Sequence, residues 1–144
     1  MNIAGIAQNK CLWAAVLSWA IAQCLKIVLV YLKEDRFDAT RIIGSGGMPS
    51  SHSSLTMALS TSIGKYYGFD SAYFAIALIY AVVVMYDAAG VRRAAGKQAE
   101  MINYFMTHHH QGAERKEKLK ELLGHTPLEV FAGAFLGIGV GLLF

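Results

Sequence analysis

Long uncharged runs alternate with short charged ones along this chain. From Cys11 to Leu32 every position is apolar except Ser18, Gln23 and Lys26, enough for a helix of about 33 Å that spans a bilayer once. A more polar run follows from Ser51 to Tyr67, where Ser53, Thr56, Ser60 and Gly64 recur at helical spacing. That spacing predicts a helix with a small, polar face for another helix. Ser71 to Tyr86 is uncharged and rich in Ile, Val and aromatics, predicting a third, short or tilted span that ends at Asp87. Pro127 to Phe144, with Glu129 as its only charge, predicts the fourth. Between them, Ala88 to Leu123 mixes basic residues with alanines and leucines. It reads as two amphipathic helices broken near Thr107 to Gly112 and lying at the membrane surface. The pattern predicts an all-α, polytopic membrane helix bundle of about four spans plus interfacial amphipathic helices, with residues 1–144 as a single domain.

Composition agrees with a lipid-facing chain. The 144 residues are 55% apolar and 16% charged, and the mean hydropathy is +0.39, whereas a soluble domain is roughly 25% charged. Disordered, collagenous and disulfide-scaffold classes are excluded: apolar content is high, glycine has no period of three, and Cys11 and Cys24 are too far apart along one helix to bridge. A net charge of +3 is too mild for a surface that tracks nucleic-acid phosphates. No cleavable signal is expected, because the first apolar run lacks a strongly basic leader and a small-residue cleavage site. Ten basic residues fall in segments 33–50 and 88–123, against Lys10 and Lys65 on the opposite side. The positive-inside rule therefore assigns those two segments to the cytoplasmic face of a bacterial-type plasma membrane.

Both prolines stand beside a histidine, in Met48-Pro49-Ser50-Ser51-His52 and in Gly124-His125-Thr126-Pro127-Leu128-Glu129. Each cluster opens a predicted span, and two crossings separate them, so both helix N-termini reach the same basic face. Unpaired N–H groups and positive dipole ends there outline an anion site. Either histidine alone reads equally as a cap or an interfacial polar residue. The glycines at 44, 46 and 47 suit either a turn or a backbone cradle for phosphate.

Glu129 lies one turn after His125, where a carboxylate can fix the tautomer and leave the second ring nitrogen free to attack. It shares a face with Gly133, Gly137 and Gly141, which points it into the bundle. Lys26 and Lys33 share a face of the first helix and serve either snorkelling or phosphate binding. Asp87, Arg92 and Arg93 serve either interfacial anchoring or the same anion. His108, His109 and His110 fan out on a helix and do not ligate one ion without a loop.

The phrases Gly-Gly-Met-Pro-Ser-Ser-His at 46–52, Tyr-Asp-Ala-Ala-Gly-Val-Arg-Arg at 86–93 and Gly-His-Thr-Pro-Leu-Glu at 124–129 resemble the phosphatidic acid phosphatase type 2 and vanadium haloperoxidase superfamily. Among its branches they are most similar to the short bacterial, divergent one. The resemblance implies that His125 attacks phosphorus to form a phosphohistidine, with Glu129 in place of the family aspartate. His52 then protonates the leaving oxygen, inside a motif of Pro49, Ser50 and Ser51 where the family has glycine at the last position. Lys26 and Lys33 match the first family motif by spacing. The third-motif arginine falls on Leu119, leaving Arg41, Arg92, Arg93 or a neighbouring lysine to hold the phosphate.

The implied activity is a metal-independent hydrolysis of a lipid phosphate or diphosphate at the cytoplasmic leaflet, with no cofactor. Its partners are a phospholipid or prenyl phosphate substrate and the bilayer, with no nucleic acid and a homodimer left open. The alternative is a non-catalytic protein that binds anionic headgroups on the same basic face.

Overall fold

The computed structural model describes residues 4–34, 47–109, 119 and 123–144. Among the described residues six helices run in order: α1 (Ala4–Ala7), α2 (Lys10–Glu34), α3 (Ser51–Tyr67), α4 (Ala72–Ala89), α5 (Val91–His109) and α6 (Pro127–Leu143). Asn9 Oδ1 accepts the Leu12 N–H at the start of α2. Ser50 and Ser71 cap α3 and α4, and Thr126 with Glu129 forms a capping box on α6. The segments Lys10–Leu32 and Ala72–His108 are long and apolar enough to cross a membrane, and Pro127–Leu143 is apolar but shorter.

The serine- and threonine-rich α3 stands at the centre, packed on α6, α2 and α4. Ser53, Ser54, Ser60 and Ser62 are fully buried, and Thr56 nearly so. All but one of these hydroxyls are satisfied locally or by α2: Thr56 Oγ1 donates to His52 O at 2.9 Å, Ser62 Oγ to Leu59 O at 3.0 Å, and Ser54 Oγ to Ser18 O at 3.2 Å, whereas Ser60 Oγ has no partner among the described residues. Away from water these pairings replace hydration the serines would otherwise lack. The large apolar side chains point outward instead, with Leu32, Ile76 and Phe135 each about 70% exposed. A core of Ala, Ser and Gly inside a shell of Leu, Ile, Val and Phe defines an all-α membrane helix bundle, since such a surface is stable only against hydrocarbon.

The glycine stripe of α6 makes this core close. A Cβ on Gly133, Gly137 or Gly141 would strike the carbonyl oxygen of Ser50, Ser54 or Ala58 respectively, one α3 turn further at each step. The two helices run parallel in backbone contact, which permits Cα–H···O contacts along the seam. Ser50 N–H donates to Glu129 O at 2.9 Å, locking the two N-termini together.

Two expectations change. The third span does not end at Asp87: α4 continues to Ala89, and α5 starts at Val91 directly beyond Gly90, whose N–H still bonds Tyr86 O at 2.8 Å. A partly buried aspartate one turn from a basic pair costs the helix little, so the break falls at the glycine. The first amphipathic helix is α5, ending at His109, while the expected second one, between Gly112 and Leu123, lies largely outside the described residues.

Candidate active site

His125 precedes α6 in an extended turn, and its N–H donates to Ala88 O at the end of α4, at 2.9 Å. Gly124 makes that approach possible. Its φ is +85°, and any Cβ there would overlap the Arg92–Arg93 backbone. The His125 side chain is 2% exposed, and its Nδ1 lies 3.1 Å from Glu129 Oε2. The same oxygen accepts the Thr126 N–H at 3.1 Å, so one carboxylate both caps the helix and orients the ring. With Glu129 ionised, Nδ1 carries the proton and Nε2 presents its lone pair. Nε2 is buried and has no hydrogen-bond partner among the described residues.

His125 borders a cavity of about 210 Å³ lined also by His52, Val83, Val84, Asp87, Ala88, Arg92 and Gly124. His52, in the first turn of α3, is exposed, and its ring centroid lies 6.3 Å from that of His125. Ser50 and Ser51 are buried beneath it, and Ser53 Oγ donates to Ser50 Oγ at 3.1 Å. Lys26 of α2 is 2% exposed, under Gly47, whose Cβ position would sit 3.3 Å from Lys26 Cγ. Burial lowers the His125 pKa from the usual histidine value. The Glu129 hydrogen bond and charge oppose that effect, and the charges of Lys26 and Arg92 reinforce it. The ring is therefore neutral near pH 7, the state a nucleophile needs.

Topology thus gathers His52, His125, Glu129, Asp87 and Arg92 at one end, with Lys26 beneath them. Asp87 Oδ2 is engaged by Arg92 Nε at 2.6 Å, so the carboxylate faces a cation rather than a bound anion. Arg93 does not line the cavity; its backbone packs on Gly124 instead. The Lys33 side chain, Arg41, and the glycines at 44 and 46 lie outside the described residues. His108 is drawn away, stacked on Tyr104 at 4.1 Å, and the His109 side chain and His110 lie outside the described residues. Val83, Val84 and Ala88 form the apolar wall. Sequence reasoning passed over them, although on α4 Val83 and Val84 stand one turn before Asp87 and Ala88 directly follows it.

Residues 7–140 match the divergent PAP2 family, and the chain belongs to it. It is also 41% identical, over 81% of its own length and 82% of the relative's, to the uncharacterized membrane protein YuiD of Bacillus subtilis (strain 168). No solved structure matches the chain.

Proposed function

We propose that this protein is a multi-pass membrane phosphatase that hydrolyses a lipid phosphate or diphosphate ester, of the phospholipid or prenyl class, at the cytoplasmic face. The observation that carries the reading is His125 Nε2, buried and unpartnered at a cavity while Nδ1 is held by Glu129. In the reaction Nε2 attacks phosphorus, the P–O bond to the lipid breaks, and protonated His52 supplies the proton to the departing oxygen. Glu129 stabilises the positive charge that develops on His125. Water then attacks the phosphohistidine, His52 takes the water's proton, and inorganic phosphate leaves. Lys26, Arg92 and the paired helix N-termini supply positive potential for the phosphoryl oxygens.

The test is turnover of phosphatidate and of prenyl diphosphates by purified protein in excess chelator. Phosphate release that orthovanadate arrests, together with an acid-labile phosphoenzyme absent from His125→Ala, is the expected result. A second reading, headgroup binding without turnover, is favoured by Leu119 at the position of the family arginine. Orthovanadate binding and lipid retention with no phosphate release would select it.

A further inference from the structure

The residue six positions before His125, where the family carries its phosphate-binding arginine, is turned to another task. Leu119 donates its N–H to Asn103 Oδ1 at 3.0 Å and accepts from Asn103 Nδ2 at 2.8 Å, and it does not line the cavity. Arg92 does, facing His125 and His52 across the same space.

In an unbroken helix positions 87 and 92 point about 140° apart. They meet here because the chain breaks at Gly90, with φ −102° and ψ −87°. The hydrogen bond uses Arg92 Nε, at 2.6 Å from Asp87 Oδ2, and among the described residues both Nη groups are left for a phosphoryl group. Two carboxylate oxygens beside a phosphate would repel it, so Asp87 gains nothing as a ligand but can fix the plane of the fork.

Resting on the phosphatase reading above, we infer that Arg92 is the phosphate clamp of this chain, moved from the segment before the nucleophile to the α4–α5 junction, and that Asp87 is its positioning residue.

The experiment measures orthovanadate affinity and phosphatidate turnover for the full chain in detergent micelles. Arg92→Ala is expected to weaken orthovanadate by roughly 10²-fold. Arg92→Lys should recover part of the loss, since an ammonium keeps the charge without the fork, and it serves if the alanine variant does not fold. Asp87→Asn should cost about tenfold alone and nothing more in the Arg92→Ala background, as a residue acting through Arg92 must. Lys97→Ala, an equal loss of charge on an exposed position of α5, should leave affinity unchanged.

Unchanged orthovanadate affinity in both Arg92 variants, while turnover still depends on His125, overturns the clamp and leaves the phosphatase reading standing. Additive losses for Asp87→Asn and Arg92→Ala overturn the positioning role. Absence of both binding and turnover in the wild type overturns the two readings together.

Discussion

The two ends of the bundle treat their polar groups in opposite ways. At the far end Lys65 Nζ donates to Leu142 O at 2.8 Å, Tyr66 Oη donates to Phe144 O at 2.9 Å, and Lys10 lies 5.4 Å from the centre of the Tyr66 ring. Cations and hydroxyls there are consumed in closing the last turn of α6. At the near end two helices begin side by side and His125 Nε2 is left without a partner beside an open cavity. Leaving a buried acceptor unpaired costs of order 1–3 kcal/mol. Under the function proposed above, that cost is the condition for accepting an incoming phosphoryl group at the second end.

The comparison breaks most completely at the seam that joins the ends. Gly137→Leu would force a side chain into the Ser54 carbonyl, and the expected outcome is loss of folded protein, a penalty of about 3 kcal/mol or more. Gly139, with nothing within 4 Å of its Cβ position, should accept leucine with an unchanged melting profile in detergent.

Next in size is Glu129→Gln, expected to keep the fold and slow turnover by roughly 10²–10⁴. The amide still accepts from Nδ1 but no longer offsets the positive charge. Because Glu129 raises the His125 pKa against burial, the acid limb of kcat/KM, already below the ordinary 6.5, should move lower still in this variant. The stability of the wild type should fall as pH drops below 6.5 toward the lowered value, since the unfolded imidazole takes up its proton first. An acid limb above 6.5 would contradict the neutral, buried ring.

His52→Ala sharpens the assignment within the near end. Alkyl phosphate turnover should drop by roughly 10²–10⁴ while an aryl phosphate, whose leaving group needs no proton, loses far less. Equal losses would remove the acid role. The smallest effect belongs to the far end: Tyr66→Phe should cost about 0.5–1.5 kcal/mol of stability and leave kcat and KM where they were.

Much of this architecture was legible because helical spacing is a direct record of which faces meet. The glycines of α6 mark a close helix contact, which the structure forms with Ser50, Ser54 and Ala58 of α3, whereas Gly64 of the predicted α3 stripe meets Phe69 and Phe74 instead; counting crossings brings His52 to His125 without any distance information. Glu129 follows from one turn of helix. What spacing could not show is the Asp87–Arg92 pair, since a regular helix separates those positions and the meeting depends on the backbone at Gly90. Arg92 and Arg93 are equivalent by composition, and only the structure distinguishes them, because Arg92 pairs with Asp87 and lines the cavity whereas Arg93 does neither. The apolar wall from Val83 to Ala88 reads in sequence as more lipid-facing helix, because a cavity wall and a membrane surface ask for the same side chains.

The small-residue core has an evolutionary corollary. In a water-soluble domain the bulky interior positions resist substitution and the surface drifts. Here the seam positions have no side-chain volume to trade, so each change there must move a backbone, whereas Ile76 or Phe135 can exchange for any residue of comparable hydrophobicity. A saturation library should therefore show its deepest intolerance at glycine and serine and its widest latitude at the largest side chains, the inverse of the usual profile.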